Sequence, residues 1–315
     1  MRTVGLITEY NPFHNGHLYH LQESLRITGA DTSVAVMSGH FLQRGEPALV
    51  DKWVRTEMAL SAGVDLVLEL PLHFACHSAP HFAMGAVQTL NALGVVDTLC
   101  FGSELGDLER LEDIACLLVE KAGEIKAMTA ARLREGVNYP TARAEALAQW
   151  RPELAGKQIA SPNNILGIEY LLALRKTGSR IKPGTITRRG AGYHATDVVG
   201  TIASATGIRK KLADGGDVMP LMPETCWTLL NDAIQLGRCL DFGKLLVALQ
   251  SRLLLGPQAL EGLYLVDDGL ERRLAEVALT ANSYDKLVEM VNSRHWTLTR
   301  VQRVLSYVLL QLPGA

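Results

Sequence analysis

No stretch of this 315-residue chain is apolar and uninterrupted for long enough to span a bilayer, so neither a transmembrane helix nor a membrane partner is expected. Met1 and Arg2 lead straight into strand-like sequence without an apolar leader, which makes the cytoplasm the expected location. Cysteine is scarce: Cys76, Cys100, Cys116, Cys226 and Cys239 are odd in number, scattered and free of CxxC spacing. That pattern speaks against a disulfide framework or a zinc site and for reduced core thiols. An excess of either charge is also lacking. At a net charge of −2 the chain cannot attract a nucleic acid through its overall field, so any RNA contact must rest on a local basic patch. The sequence contains no internal repeat and no low-complexity segment. What remains is an ordinary globular composition, 48% hydrophobic, with length for a sizeable core and about two domains.

The stretch VGLITEYNPFHNGHLY, residues 4–19, organises the rest. Residues 4–7 are a short apolar run suited to a strand covered on both faces; Asn11, Pro12, Asn15 and Gly16 stop it, and Leu18, Leu21 and Leu25 then repeat at helix spacing. A turn between the carboxyl end of a strand and the amino end of a helix is where open α/β sheets bind ligands, and the helix's first N–H groups favour an anion such as phosphate. Further strand candidates at residues 32–38, 64–70, 97–101 and 184–188 alternate with helical patterns over residues 51–62, 78–93, 108–133 and 165–176. These strands are apolar runs, not alternating ones, so the expected fold class is α/β: a Rossmann-like parallel sheet with helices on both faces. Residues 139–143 (YPTAR) and 161–167 (SPNNILG) read as breaks in the pattern. Beyond Gly215, Gly216 and Pro220 the sequence is rich in leucine at helix spacing and poor in strand candidates. The expected organisation is one domain over residues 1–212 followed by a smaller α-helical domain over residues 213–315.

His14-Asn15-Gly16-His17 places two imidazoles around a glycine that lets a ligand approach the backbone closely. This tetrapeptide resembles the HIGH signature of the nucleotidyltransferase superfamily, in which the histidine pair stabilises charge on the α-phosphate of ATP while a nucleophile displaces pyrophosphate. An N–H donor aimed at developing phosphoryl charge acts on the transition state more than on the ground state. Residues 203–209, ASATGIR, resemble the second signature of that superfamily, a Ser/Thr-rich turn followed by Ile-Arg, with Ala205 replacing one serine and Ser204 and Thr206 retained. The same residues also suit a plain helix start capped by Ser204 or Thr206. By the two resemblances His14, His17 and Arg209 are the expected catalytic residues, with Ser204 and Thr206 on the ATP phosphates.

TEYNPFHNGH, SGHFLQRGEPA, GVDLVLELP, FGSE, YPTAR, SPNNILGIEYL, RRGAGYH and ASATGIRK stand in one order along the chain, which is therefore similar to the bacterial tRNA(Met) cytidine acetate ligase family. That resemblance implies a nucleotidyltransferase domain that activates acetate with ATP as acetyladenylate and transfers the acetyl group to the wobble cytidine of elongator tRNA(Met). It implies ATP along Ile7, Thr8, Glu9, Tyr10, Asn11, Pro12, Phe13, His14, Asn15, Gly16, His17, Leu18, Tyr19 and His20, with Gly102, Asn163, Arg188 and Arg189 as further contacts. Mg2+ is expected with the nucleotide, and no protein ligand is assigned to it. Arg44 and Lys52, after the second strand, and Lys210 and Lys211, after the second signature, are the expected RNA contacts. His73, Cys76, His77 and His81 mimic a metal-binding face, but Pro71 and Pro80 argue against one helix presenting them, and no metal site is expected there. Two other readings stay open: an adenylyltransferase acting on a phosphorylated small molecule, and a catalytically inactive RNA-binding module.

Overall fold

Five strands, β1 (Thr3–Thr8), β2 (Thr32–Ser38), β3 (Leu66–Leu70), β4 (Thr98–Ser103) and β5 (Lys182–Thr187), pair in the order β3-β2-β1-β4-β5, all parallel. The computed structural model describes residues 1–152, 159–188 and 201–314. Parallel neighbours require crossovers, which are supplied by α1 (Asn15–Thr28), α2 (Lys52–Ser61), α3 (Leu72–Ala75), α4 (Ala79–Leu93), α5 (Leu108–Glu120), α6 (Ala122–Arg134), α7 (Tyr139–Ala148) and α8 (Pro162–Lys176). Side chains alternate across the sheet: Val34 and Val36 join one core with Leu99, Phe101, Phe82 and Leu90, whereas Ala35 and Met37 join another with Val4, Leu6, Leu21 and Met58. Ile208 from α9 (Ala205–Ala213) and Leu230 from α10 (Glu224–Gln235) lie in the second core. The chain winds outward from β1 through β2 to β3, then returns to the other side of β1 for β4 and β5. In open α/β sheets such a reversal is where ligands bind, which points to the carboxyl end of β1.

The sequence expectations need three corrections. β1, β2 and β4 are covered on both faces, but β3 and β5 are the sheet's edges and stay partly exposed, with Leu66 39% accessible. The expected long helix over residues 108–133 is two helices, α5 and α6, divided at Lys121, whose φ of −109° and ψ of 25° interrupt the helical path. Residues 161–167 are no break, since α8 already begins at Pro162 behind Ser161, and neither are residues 139–143. The latter open α7, because the Asn138 side chain accepts the Thr141 N–H and Pro140 sits in the first turn, where its missing N–H costs nothing.

Four further helices, α11 (Phe242–Leu253), α12 (Leu270–Ala278), α13 (Tyr284–Val291) and α14 (Leu298–Leu310), enclose a third core around Leu249, Leu274, Leu287 and Leu305. Among the described residues no helix is long and apolar enough to cross a membrane.

Candidate active site

β1 ends at Thr8, and the chain turns through Tyr10, at φ 46°, and a cis Asn11-Pro12 bond before α1 begins. His14 caps α1, its Nδ1 accepting the Gly16 N–H at 3.0 Å, so the neutral ring carries its proton on Nε2. A Cβ on residue 16 would lie 2.8 Å from His14 Cε1, so only glycine lets the imidazole fold back over the helix start. One helical turn brings the His17 ring against that of His14, 3.8 Å between centroids with the planes tilted by 30°. Tyr10 and Phe13 are buried beneath them, with the Tyr10 ring 5.0 Å from that of His17. His14 is 5% exposed, and burial, reinforced by the positive charges of Arg188 and Arg209, lowers its pKa to about 3. His17 is held well below the usual histidine range by burial and by His14 and Arg188, and His20 falls to about 4 for the same first reason. At neutral pH these rings are uncharged N–H donors and not cations. His17 Nδ1 and His20 Nε2 are buried without a hydrogen-bond partner within the protein.

The second signature meets this turn directly. Ser204 caps α9 by accepting the Gly207 N–H at 3.0 Å, and the helix aims Arg209 at β1's end, where its guanidinium donates to the Asn11 carbonyl at 2.9 Å. Arg209 also lies 3.5 Å from Thr206 Oγ1 and 3.7 Å from Glu46 Oε2. Asn15 donates to the carbonyls of Thr201 and Pro220, 3.0 Å each, tying the start of α1 to the segments on either side of α9. The Asn11 side chain accepts the Leu49 N–H at 2.7 Å. Of the remaining residues in the expected ATP stretch, Ile7, Leu18 and Tyr19 pack against the sheet's cores, and Pro12 belongs to the cis turn.

Gly102, Asn163 and Arg188 converge at the ends of β4 and β5. A Cβ on residue 102 would lie 3.3 Å from Arg188 Cγ, and Arg188 donates to Asn163 Oδ1 at 3.4 Å. Arg189 lies outside the described residues. Of the expected RNA contacts, Lys210 and Lys211 are exposed, Arg44 is half-buried, and Lys52 is ion-paired with Glu69 and lies over the Trp53 ring. His77 and His81 stack at 3.9 Å, and His77 Nε2 bonds the Tyr264 hydroxyl at 2.8 Å, while His73 packs on Phe74. Among the described residues no group of three or more His, Cys, Asp or Glu is arranged to hold a metal ion.

Three supporting residues escaped the sequence reading. Arg55 is fully buried and donates to the carbonyls of Glu9 (2.6 Å), Ser38 (3.1 Å), Val50 (3.3 Å) and Gly39, clamping the ends of β1 and β2 together. Its signal was available: an arginine within the apolar stripe Val54, Met58, Ala59 of α2. Glu104 accepts from Asn163 Nδ2 at 2.7 Å and from Asn164 N at 2.9 Å, which turns the Asn163 carbonyl oxygen toward Arg188. Gln43 donates its N–H to Glu9 Oε1 at 2.7 Å; burial raises the Glu9 pKa, opposed by that bond and by the charges of Arg55, Arg209 and Arg44. No sequence pattern announces either of the last two.

A family model described as HIGH Nucleotidyl Transferase matches residues 1–315. The tRNA(Met) cytidine acetate ligase of Syntrophotalea carbinolica is 52% identical over 100% of this chain and 75% of its own, and that of Acetivibrio thermocellus 46% identical over 98% and 77%. A crystal structure of Thermotoga maritima TmcAL bound with alpha-thio ATP matches with a TM-score of 0.87 at 36% identity, covering 100% of this chain and 76% of that one. The apo form of that protein gives 0.90 at 37%, covering 99% and 76%. The chain therefore belongs to the HIGH nucleotidyltransferase family and, within it, to the tRNA(Met) cytidine acetate ligases.

Proposed function

We propose that this protein is an ATP-dependent acetate ligase that forms acetyladenylate and transfers the acetyl group to N4 of the wobble cytidine of elongator tRNA(Met). The observation that carries the reading is the turn after β1, where His14 and His17 face each other as neutral rings with the charges of Arg188 and Arg209 bearing on them. In the first step an acetate oxygen attacks the α-phosphorus of ATP, the bond to the β-phosphate oxygen breaks and pyrophosphate leaves. Imidazole N–H groups and the forked Arg209 guanidinium suit the charge that gathers on the α-phosphoryl oxygens. Mg2+ enters with ATP as part of the substrate. In the second step the cytidine amine attacks the acetyl carbonyl, the C–O bond to AMP breaks, and the amine gives up a proton.

Asn163 and Arg188, braced by Glu104, are proposed nucleotide contacts beside Gly102, and Ser204 and Thr206 flank the phosphates at α9. Lys210, Lys211, Arg44 and Lys52 are proposed phosphate contacts for the tRNA. The helices α11–α14, which enclose the third core, form in this proposal a smaller domain that helps hold the tRNA. Such a substrate also implies a cytoplasmic enzyme. Incubating the protein with ATP, labelled acetate and tRNA, then digesting to nucleosides for mass spectrometry, tests the reading. N4-acetylcytidine with one AMP released per acetyl transferred is expected. AMP retained on a phosphorylated small molecule would support the adenylyltransferase reading, and no turnover of any kind the inactive module.

A further inference from the structure

We infer that α14 is a positioning element for adenylation, acting through the loop of residues 39–47; the inference rests on the reading of the site just given. The loop is pressed against the backbone of α14. Gly45 has φ 96°, and a Cβ there would fall 2.5 Å from the Gln302 carbonyl carbon and 2.6 Å from Arg303 Cα, closer than packed atoms approach. Three side chains from one stretch of α14 grip the loop. Gln302 Nε2 donates to Glu46 Oε1 at 2.9 Å, Arg303 Nε to the Gln43 carbonyl at 2.8 Å, and Ser306 Oγ to the Gly45 carbonyl at 2.6 Å. Gln302 and Ser306 are buried.

The two loop residues gripped through Gln302 and Arg303 each hold a site residue with their other end. Gln43 gives its carbonyl to Arg303 and its N–H to Glu9 Oε1 at 2.7 Å, beside the clamp that Arg55 makes on the Glu9 carbonyl. Glu46 gives Oε1 to Gln302, while its Oε2 stands 3.7 Å from Arg209. Arg209 is therefore oriented from two sides, by the Asn11 carbonyl and by a carboxylate whose own direction is set from α14. The seam is distinct from the helix's core face, where Val301, Val304, Leu305 and Val308 pack with α11 and α13, so it can be cut while that core is kept. Gln302 and Arg303 touch no expected substrate atom; they act through Gln43 and Glu46 on Glu9 and Arg209.

The test is steady-state acetate-dependent exchange of pyrophosphate into ATP, with thermal unfolding in parallel, for Gln302→Ala, Arg303→Ala, Arg303→Lys and each combined with Arg209→Ala. Loosening Arg209 through Glu46 in Gln302→Ala, or Glu9 through Gln43 in Arg303→Ala, removes no nucleotide contact and is expected to lower kcat about 10-fold while the KM for ATP moves by less than about 3-fold. Lysine can still donate to the Gln43 carbonyl, so Arg303→Lys should recover part of the loss. In the Arg209→Ala background Gln302→Ala should add less than about 2-fold, because the group it acts through is gone. Normal kcat in folded Gln302→Ala and Arg303→Ala proteins, a Gln302→Ala loss that multiplies with that of Arg209→Ala, or a loss that tracks only the unfolded fraction would each overturn the inference. If Arg303→Ala does not fold, Gln302→Ala decides alone. Absence of exchange in the unaltered protein counts instead against the acetate-ligase reading itself.

Discussion

His14 is held twice, by its own bond to the Gly16 N–H and by the ring contact with His17, so the ring is set before any nucleotide arrives. Since a positioned donor counts most in the transition state, His14→Ala or His17→Ala should lower acetate-dependent exchange by about 100-fold, with the fold retained by circular dichroism. Burial gives the same residue a signature in stability. His14 titrates near 3 in the folded protein and near its ordinary value, about 6.5, when unfolded, so below that value the unfolded chain binds the extra proton. Stability should therefore be flat above about pH 6.5 and fall as the pH drops, by about 2 kcal/mol at pH 5 from this group alone. Urea unfolding between pH 5 and 8 checks it, and His14→Ala should show a shallower fall. Arg55 is the structural counterpart. Arg55→Met would orphan the carbonyls of Glu9, Ser38, Gly39 and Val50, and a cost of about 3–5 kcal/mol is expected in chemical denaturation.

At the level of elements, α14 and the loop of residues 39–47 meet through Gly45, so Gly45→Ala both strains a left-handed backbone and drives a methyl into helix backbone. Unfolding should be easier by about 1–3 kcal/mol, with exchange reduced beyond what the unfolded fraction explains. The contrast with the two signatures shows what a sequence can and cannot disclose. HNGH and ASATGIR were legible because each is local: a strand end or cap, a glycine and a donor lie within a few residues, and the fold brings them together as Arg209 onto the Asn11 carbonyl. Apolar runs likewise disclosed β1, β2 and β4, which are buried on both faces, but overstated β3 and β5, where edge position leaves the run half-exposed. Lys121 splits α5 from α6 through backbone angles that no proline or cap marks in advance. Gln43, Glu104 and Gln302 were illegible because their partners are distant in sequence: Glu9, Asn163 and Glu46.

For the whole molecule the question is how a chain of net charge −2 would hold the tRNA proposed as its substrate. Long-range attraction is weak, so binding must depend on a few phosphate contacts, and Lys210 and Lys211 are the exposed pair next to the adenylation site. Replacing both with alanine should weaken tRNA binding and flatten its salt dependence, each lost contact removing roughly 0.7 to 0.9 from the slope of log affinity against log salt. Exchange should survive better than acetyl transfer, because acetyladenylate forms without RNA. Equal loss of both would put the lysines in the ATP site, and unchanged affinity would move the RNA surface to the helices beyond residue 212. Chemistry comes before RNA in this scheme, and the most direct measurement follows from that order: exchange of labelled pyrophosphate into ATP by the purified protein with no RNA present, with and without acetate. Label should enter ATP only when acetate is added, and acetyladenylate should be recovered from the protein by mass spectrometry. Exchange that is indifferent to acetate, or that appears only with a phosphorylated small molecule, would contradict acetate activation at this site.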